Sequence, residues 1–247
     1  MELKALLFSF NNVETPIMNH SSLLNSLELS KLPILNVLSQ ELLNQVVTKV
    51  KVHTFSKNSF IFKPGEKNNE VCLLLDGVIK NGIILPDGKE LIQHIIKPLD
   101  FFGFGSLTGK STRVHYAKTL SQYCTVLTIP CEIIGQLMRQ SESFSKGIVE
   151  IVAKALFRSE KRLEVLLTAD VRTRISFFLE DNLTRNNSPI PIETLLHEGL
   201  TQQDIATMIG ATRQTVAMVL NEMRKDDKIE FNRKEIVVKS RQSIGSA

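Results

Sequence analysis

The chain is expected to be an α+β protein: a strand-rich jelly-roll β-barrel, then one long helix, then two crossed helices followed by a two-stranded wing. Three observations lead there. Short apolar runs recur between Val50 and Pro130 with turn residues between them. An unbroken stretch from Ser141 to Thr168 carries apolar residues at intervals of three and four. Gln202 to Asn221 has the pattern of two short helices meeting at a glycine turn. The boundaries this implies are an N-terminal extension over 1–38, a barrel over 39–138, the long helix over 139–169 and a winged helix-turn-helix over 170–247.

The runs Val50–Phe55, Ser59–Phe62, Val71–Leu75, Gly77–Lys80, Ile83–Leu85, Leu91–Ile96, Tyr116–Leu120 and Cys124–Ile129 read as strands, with Pro64-Gly65, Asp76-Gly77 and Pro86-Asp87-Gly88 as turns. Closely spaced short strands close into a sandwich or barrel, here of jelly-roll form. Residues up to about 30 are apolar but interrupted by Asn11, Asn12, Pro16 and Asn19, and stay unassigned.

Pro130 to Met138 fits a short helix with proline near its start, and Ser141 to Thr168 a helix of about 40 Å at about 1.5 Å per residue. Along the latter, Ile148, Val152, Ala155, Ser159, Leu163 and Leu166 form a stripe suited to a second copy of the same helix in a two-fold homodimer. Packing of that stripe on its own domain is the alternative. Asp170 opens a further helix, Val171–Arg185, whose Ile175, Phe178 and Leu179 face the core of the last domain.

In the crossed pair, Ile205, Ile209, Val216 and Val219 meet in one small core, and Ala206 is small enough to let the second helix cross. Gly210 ends the first helix and Thr212 caps the second. The first turns of the second helix then present Arg213, Gln214, Ala217, Met218 and Asn221 opposite the core. Arginine can bond guanine bidentately and glutamine or asparagine adenine, while Met218 suits a thymine methyl. Thr201, Gln203 and Thr215 suit phosphate oxygens, and Thr212 joins them at the same turn. Lys228–Phe231 and Glu235–Lys239 read as two short strands around Asn232-Arg233-Lys234, so Arg233 and Lys234 stand beside the DNA backbone. Double-stranded DNA is the expected partner. Arg241–Ala247 reads as a loose tail.

With 247 residues, 43% of them hydrophobic, the chain can bury a sizeable core. Net charge is +4 and the isoelectric point about 8.9, but from Glu198 onward eight Lys/Arg face seven Asp/Glu, so the DNA reading rests on pattern and not on bulk charge. No run approaches the ~20 apolar residues of a membrane span and no secretory signal pattern opens the chain, so a cytoplasmic, membrane-free protein is expected. Cys72, Cys124 and Cys131 lack metal-ligand spacing and are expected as buried free thiols; no metal site is foreseen. No catalytic constellation is present, so an enzyme is not expected. The rival to a DNA-binding regulator is a ligand- or partner-binding barrel whose winged helix docks protein. The polar tip Arg213, Gln214 and Asn221 suits a protein interface core poorly.

Leu200–Leu220 with Ile236-Val-Val238, and the barrel segments Phe62-Lys-Pro-Gly65-Glu66, Leu75-Asp-Gly77 and Asp100-Phe-Phe-Gly103, together resemble the cyclic-AMP receptor protein and fumarate-nitrate regulator (Crp/Fnr) superfamily of bacterial transcription factors, from about Gln40 to Lys239. The resemblance implies a homodimer on a palindromic operator, regulation of RNA polymerase, and a barrel of cyclic-nucleotide-binding type whose ligand reorients the DNA heads. It marks Gly103, Phe104, Gly105, Ser106, Arg113, His115 and Ser159 as the candidate effector pocket. Phe104 stands where the cyclic-AMP receptors carry a ribose-binding glutamate. Val114 and His115 stand at their Arg-Ser pair, with Arg113 one residue early. Cyclic nucleotide is therefore not expected, and an unknown small effector stays open. No cysteine precedes Cys72, which removes the cluster-based oxygen sensor, and His53, His94 and His115 are scattered on strands, which argues against haem. The receptor pattern Arg-Glu-Thr-Val-Gly-Arg stands here as Arg213-Gln-Thr-Val-Ala-Met218, so a different operator is expected.

Overall fold

The computed structural model describes residues 29–184, 200–232 and 236–239. It divides into two compact units, Met1–Lys154 and Ala155–Ala247, with the boundary inside the long helix.

In the first unit, a 3-10 turn (Leu35–Val37) and α1 (Gln40–Val47) precede β1 (Lys51–Ser56), β2 (Phe60–Phe62), β3 (Glu70–Asp76), β4 (Ile79–Ile84), β5 (Glu90–Ile96), β6 (Phe101–Phe102), β7 (Tyr116–Thr119) and β8 (Tyr123–Pro130). Two four-stranded antiparallel sheets, in the orders β1-β8-β3-β6 and β2-β7-β4-β5, form the jelly roll. Alternation along β3 and β8 explains why both read as continuous apolar runs. Val71, Leu73, Leu75, Leu127 and Ile129 join one core, while Cys72, Leu74, Cys124 and Val126 point to the other face and meet Phe62, Ile79, Ile96, Phe102 and Ala117.

The first core also takes Leu29, Leu32, Leu35 and Leu38, so the described end of the segment read as an extension is part of the barrel unit. Ile133, Ile134 and Leu137 of α2 (Cys131–Gln140) complete it with Phe144 and Ile148 of α3 (Glu142–Thr168). The Ser141 hydroxyl accepts the Phe144 amide at 3.2 Å as α3 begins. Cys72 and Cys124 are buried and Cys131 is half-buried, all three unbridged.

Two strand expectations change. Gly77–Lys80 and Ile83–Leu85 are one strand, β4, running through a bulge at Asn81/Gly82. Lys80-Asn81-Gly82 resembles a turn locally, but a Cβ at Gly82 would sit 2.0 Å from the Leu91 carbonyl oxygen, and the Asn81 side-chain amide donates to Tyr116 O at 2.6 Å. The short strand Phe101–Phe102 pairs with Cys72 and Leu73, and its two residues carry no periodic signal.

The stripe on α3 also shifts. Ile148 is 3% exposed and packed in the barrel-side core, so it is not available to a partner. Val149, Val152, Leu156 and Leu163 are 62%, 44%, 57% and 56% exposed. With Ser159 and Leu166 they fall at alternating intervals of three and four, a largely exposed stripe offset by one residue from Ile148 and Ala155.

In the second unit α4 (Val171–Thr184) buries Ile175, Phe178 and Leu179, and Asp170 caps it by accepting the Thr173 amide at 2.8 Å. These side chains share the unit with the buried Ile205, Ala206, Met208 and Ile209 of α5 (Gln202–Ile209) and Val216, Val219, Leu220 and Met223 of α6 (Arg213–Lys225). β9 (Ile229–Phe231) and β10 (Ile236–Val238) pair antiparallel as the wing. No helix among the described residues is long and apolar enough to cross a membrane.

Candidate nucleic-acid interface

The turn between α5 and α6 is built from local chemistry. The Thr201 hydroxyl accepts the Asp204 amide at 3.1 Å while the Asp204 carboxylate accepts the Thr201 amide at 2.9 Å, a reciprocal cap on α5. Gly210 adopts φ 66°, the left-handed conformation that lets the chain leave α5, and the Ala211 amide closes back on Ala206 O at 3.0 Å. Thr212 then caps α6, its hydroxyl accepting the Thr215 amide at 3.1 Å and sharing a 2.8 Å bond with the Thr215 hydroxyl.

On α6 the exposed side carries Arg213, Gln214 and Met218, the last 56% exposed, opposite Val216 and Val219. Arg213 and Gln214 make no side-chain hydrogen bond or ion pair among the described residues, and neither does the exposed Gln203 on α5. The threonines differ. The Thr201 hydroxyl donates to the Asp204 carboxylate at 2.7 Å, and Thr212 and Thr215 face each other, so these groups first shape the turn.

Asn221 is engaged within its own helix. Its side-chain NH2 donates to Ala217 O at 2.8 Å and its oxygen accepts from Arg224 at 3.0 Å, so both ends of the amide are occupied within α6. What it holds is Arg224, whose guanidinium also lies 5.0 Å from the Phe231 ring centroid of the wing. Arg224 lies on the Arg213 side of α6, and its spacing of eleven residues, three helical turns, was the available signal. Arg172 pairs with Glu222 at 3.2 Å and Asp226 at 2.5 Å, covering the acidic residues at the end of that helix. Arg233 and Lys234 lie outside the described residues.

In the barrel, Gly103, Ser106 and Arg113 come together. Gly103, at φ 81°, opens a 3-10 turn over Phe104–Thr108, and its carbonyl accepts from the Ser106 hydroxyl at 2.9 Å and from Arg113 at 3.2 Å. Arg113 also donates to Glu70 O at 2.8 Å and lies 4.1 Å from the Phe62 ring centroid; it is 8% exposed. A Cβ at Gly103 would stand 2.7 Å from that guanidinium. Arg113 Nε and Asn68 Oδ1 are buried polar atoms with no hydrogen-bond partner among the described residues. Burial pushes the neighbouring Cys72 thiol up to about 12 despite the Arg113 charge, so it stays protonated.

Phe104 packs against Phe101, centroids 6.3 Å apart, and against the barrel-side core. Gly105 is exposed. His115 is exposed too, and partial desolvation followed by the Lys110 charge lowers its pKa. Ser159 belongs to the second unit, where its hydroxyl donates to Ala155 O on its own helix at 3.0 Å.

A family model for the cyclic nucleotide-binding domain matches residues 52–141, and one for the Crp-like helix-turn-helix domain matches residues 176–244. The global nitrogen regulator of Nostoc sp. (strain PCC 7120) is 29% identical over 189 residues, 76% of this chain and 84% of that protein. The CRP-like cAMP-activated global transcriptional regulator of Mycobacterium tuberculosis is 24% identical over 184 residues, 74% of this chain and 82% of that protein. The chain belongs to the Crp/Fnr superfamily of transcription regulators. FixK2 from Bradyrhizobium japonicum shares the fold of this Crp/Fnr regulator, with a TM-score of 0.69 at 18% identity over 79% of this chain and 95% of that one. Such a Crp/Fnr chain is a DNA-binding transcription regulator, and the relatives it matches are regulators, not enzymes.

Proposed function

We propose that the regulator acts as a homodimer on a palindromic operator, with the first turns of α6 in the major groove of each half-site. The observation that carries this is the capped turn at Gly210–Thr212, which leaves Arg213, Gln214 and Met218 exposed and unengaged at the start of α6. Arg213 would bond guanine, Gln214 adenine, and Met218 a thymine methyl. Gln203 donates to phosphate, Thr201, Thr212 and Thr215 set its register, and Arg224, Arg233 and Lys234 add charge along the backbone. The heptad seam Val149, Val152, Leu156, Ser159, Leu163 and Leu166 joins two copies of α3, as two recognition helices must meet major grooves about 34 Å apart. Contact with RNA polymerase in the cytoplasm follows from this role.

For the barrel we propose a small effector other than a cyclic nucleotide. A cyclic phosphate needs a free cation and a ribose needs an acceptor. Arg113 is already engaged by Gly103 O, Glu70 O and Phe62, and the half-buried Phe104 packs against the hydrophobic core where the acceptor would stand. These residues do not fit that ligand. The buried Arg113 Nε and Asn68 Oδ1 offer one donor and one acceptor to a smaller polar molecule. Selection of bound sequences from a random duplex library, with and without cyclic AMP and cyclic GMP, tests both readings. A palindrome enriched equally in all arms supports them. Failure to enrich any sequence overturns the first, and enrichment only with a nucleotide overturns the second.

A further inference from the structure

We propose that Arg162 of α3 is the positioning residue that ties the dimer helix to the DNA-reading turn; the inference rests on the DNA-binding reading above and names the group that transmits orientation within it. The last carbonyls of a helix have no partner inside the helix and carry its negative end, so a cation placed there both bonds and complements them. At the end of α5 two such carbonyls accept from arginines on two other helices. Arg162 of α3 donates to Met208 O at 2.6 Å, and Arg174 of α4 donates to Ile209 O at 3.3 Å and to Ala169 O at 3.0 Å. Both acceptors immediately precede Gly210, where the chain turns into α6. Arg174 lies 3.8 Å from the position of a Cβ on Gly210, so it also lines the turn itself.

The two arginines do different things. Arg174 joins α4 to α5 and also closes on Ala169 at the junction before its own helix, so it consolidates the unit locally. Arg162 alone of the two sits on the helix that carries the seam, one residue before the exposed Leu163. A rotation or slide of α3 against its partner moves Arg162 with Leu163, and the bond to Met208 O carries that movement to the start of α6. The recognition helices of the two protomers are thereby held at one separation with the help of a charge-assisted bond on each side.

The test uses the full chain with Arg162→Met and Arg162→Lys, titrated against the selected full operator and against a duplex holding one half-site. In parallel, a nitroxide at Lys225→Cys in a Cys131→Ser background reports the distance between the two α6 helices without DNA. Arg162→Met should weaken full-operator binding roughly tenfold, leave half-site binding within about twofold, and widen the inter-label distribution while the dimer mass is unchanged. Arg162→Lys, which keeps a donor, should recover most of the loss, and Arg162→Ala, with the same expected outcomes as Arg162→Met, stands in if the methionine variant does not fold. Equal loss on full and half sites would mean local damage to the turn and would overturn the proposal, as would unchanged binding and distances. A wild type that binds no duplex removes the DNA-binding reading, and the label distances then decide alone: a distribution unaffected by Arg162→Met, or a monomeric wild type, overturns the proposal.

Discussion

Arg113 shows how one side chain can hold a loop in place. Its guanidinium bonds two main-chain carbonyls and lies on Phe62, with only Nε left without a partner among the described residues. Hydrogen bonds to a charged group contribute about 1.5–3 kcal/mol each. Arg113→Met keeps much of the apolar contact but removes both, and should cost about 3–6 kcal/mol, read as a lower thermal unfolding midpoint by circular dichroism. An unchanged midpoint would mean the arginine is available to a ligand instead. The sequence singles out Arg113 as a cation near a glycine loop, yet its partners are carbonyls 10 and 43 residues away, which carry no side-chain signature. Asn221 is similar: its type suits base reading, and only the geometry shows the amide bonded to Ala217 O and Arg224.

Among the elements, α3 has two apolar sides, and spacing alone does not tell which one belongs to the chain's own core. Phe144 and Ile148 turn into the barrel-side core, leaving Val149, Val152, Leu156 and Leu163 outside. Replacing Leu156 and Leu163 by Asp should yield monomers in sedimentation velocity and abolish operator binding together, while far-ultraviolet circular dichroism keeps the helix content of a folded chain, because both positions are exposed in the single protomer. A dimer that survives would place the seam elsewhere. On the sheet β2-β7-β4-β5, Glu90 lies between Lys80 at 2.6 Å and Lys118 at 2.8 Å. Burial raises the Glu90 pKa, but the bonds and charges of Lys118 and Lys80 outweigh it and the net shift is downward. A carboxylate held lower in the folded state contributes stability that is full above its unfolded pKa of about 4.3 and is lost as pH falls through the folded value. Denaturant titrations from pH 6 downward should therefore show the wild type losing more stability than Glu90→Gln below about pH 5. Parallel curves would remove the ion triad from the account.

At the scale of the whole chain, the second unit was legible because its signals are local. Gly210, Thr212 and the apolar positions of α5 and α6 lie within twenty residues, and each has a conformational reason to be there. The barrel was legible as a class but not in detail, since the pairing of β3 with β6 and the bulge in β4 depend on contacts between distant strands. The central claim is that α6 reads duplex DNA through the side chains beginning at Arg213, in two copies. The most direct measurement is a footprint and affinity titration of wild type and Arg213→Ala on the selected operator. The account predicts two protected major-groove tracts about 10 base pairs apart. It also predicts a loss of about 1–3 kcal/mol in binding for the variant, with its dimer mass unchanged. Equal affinity and identical protection for the two proteins would contradict it.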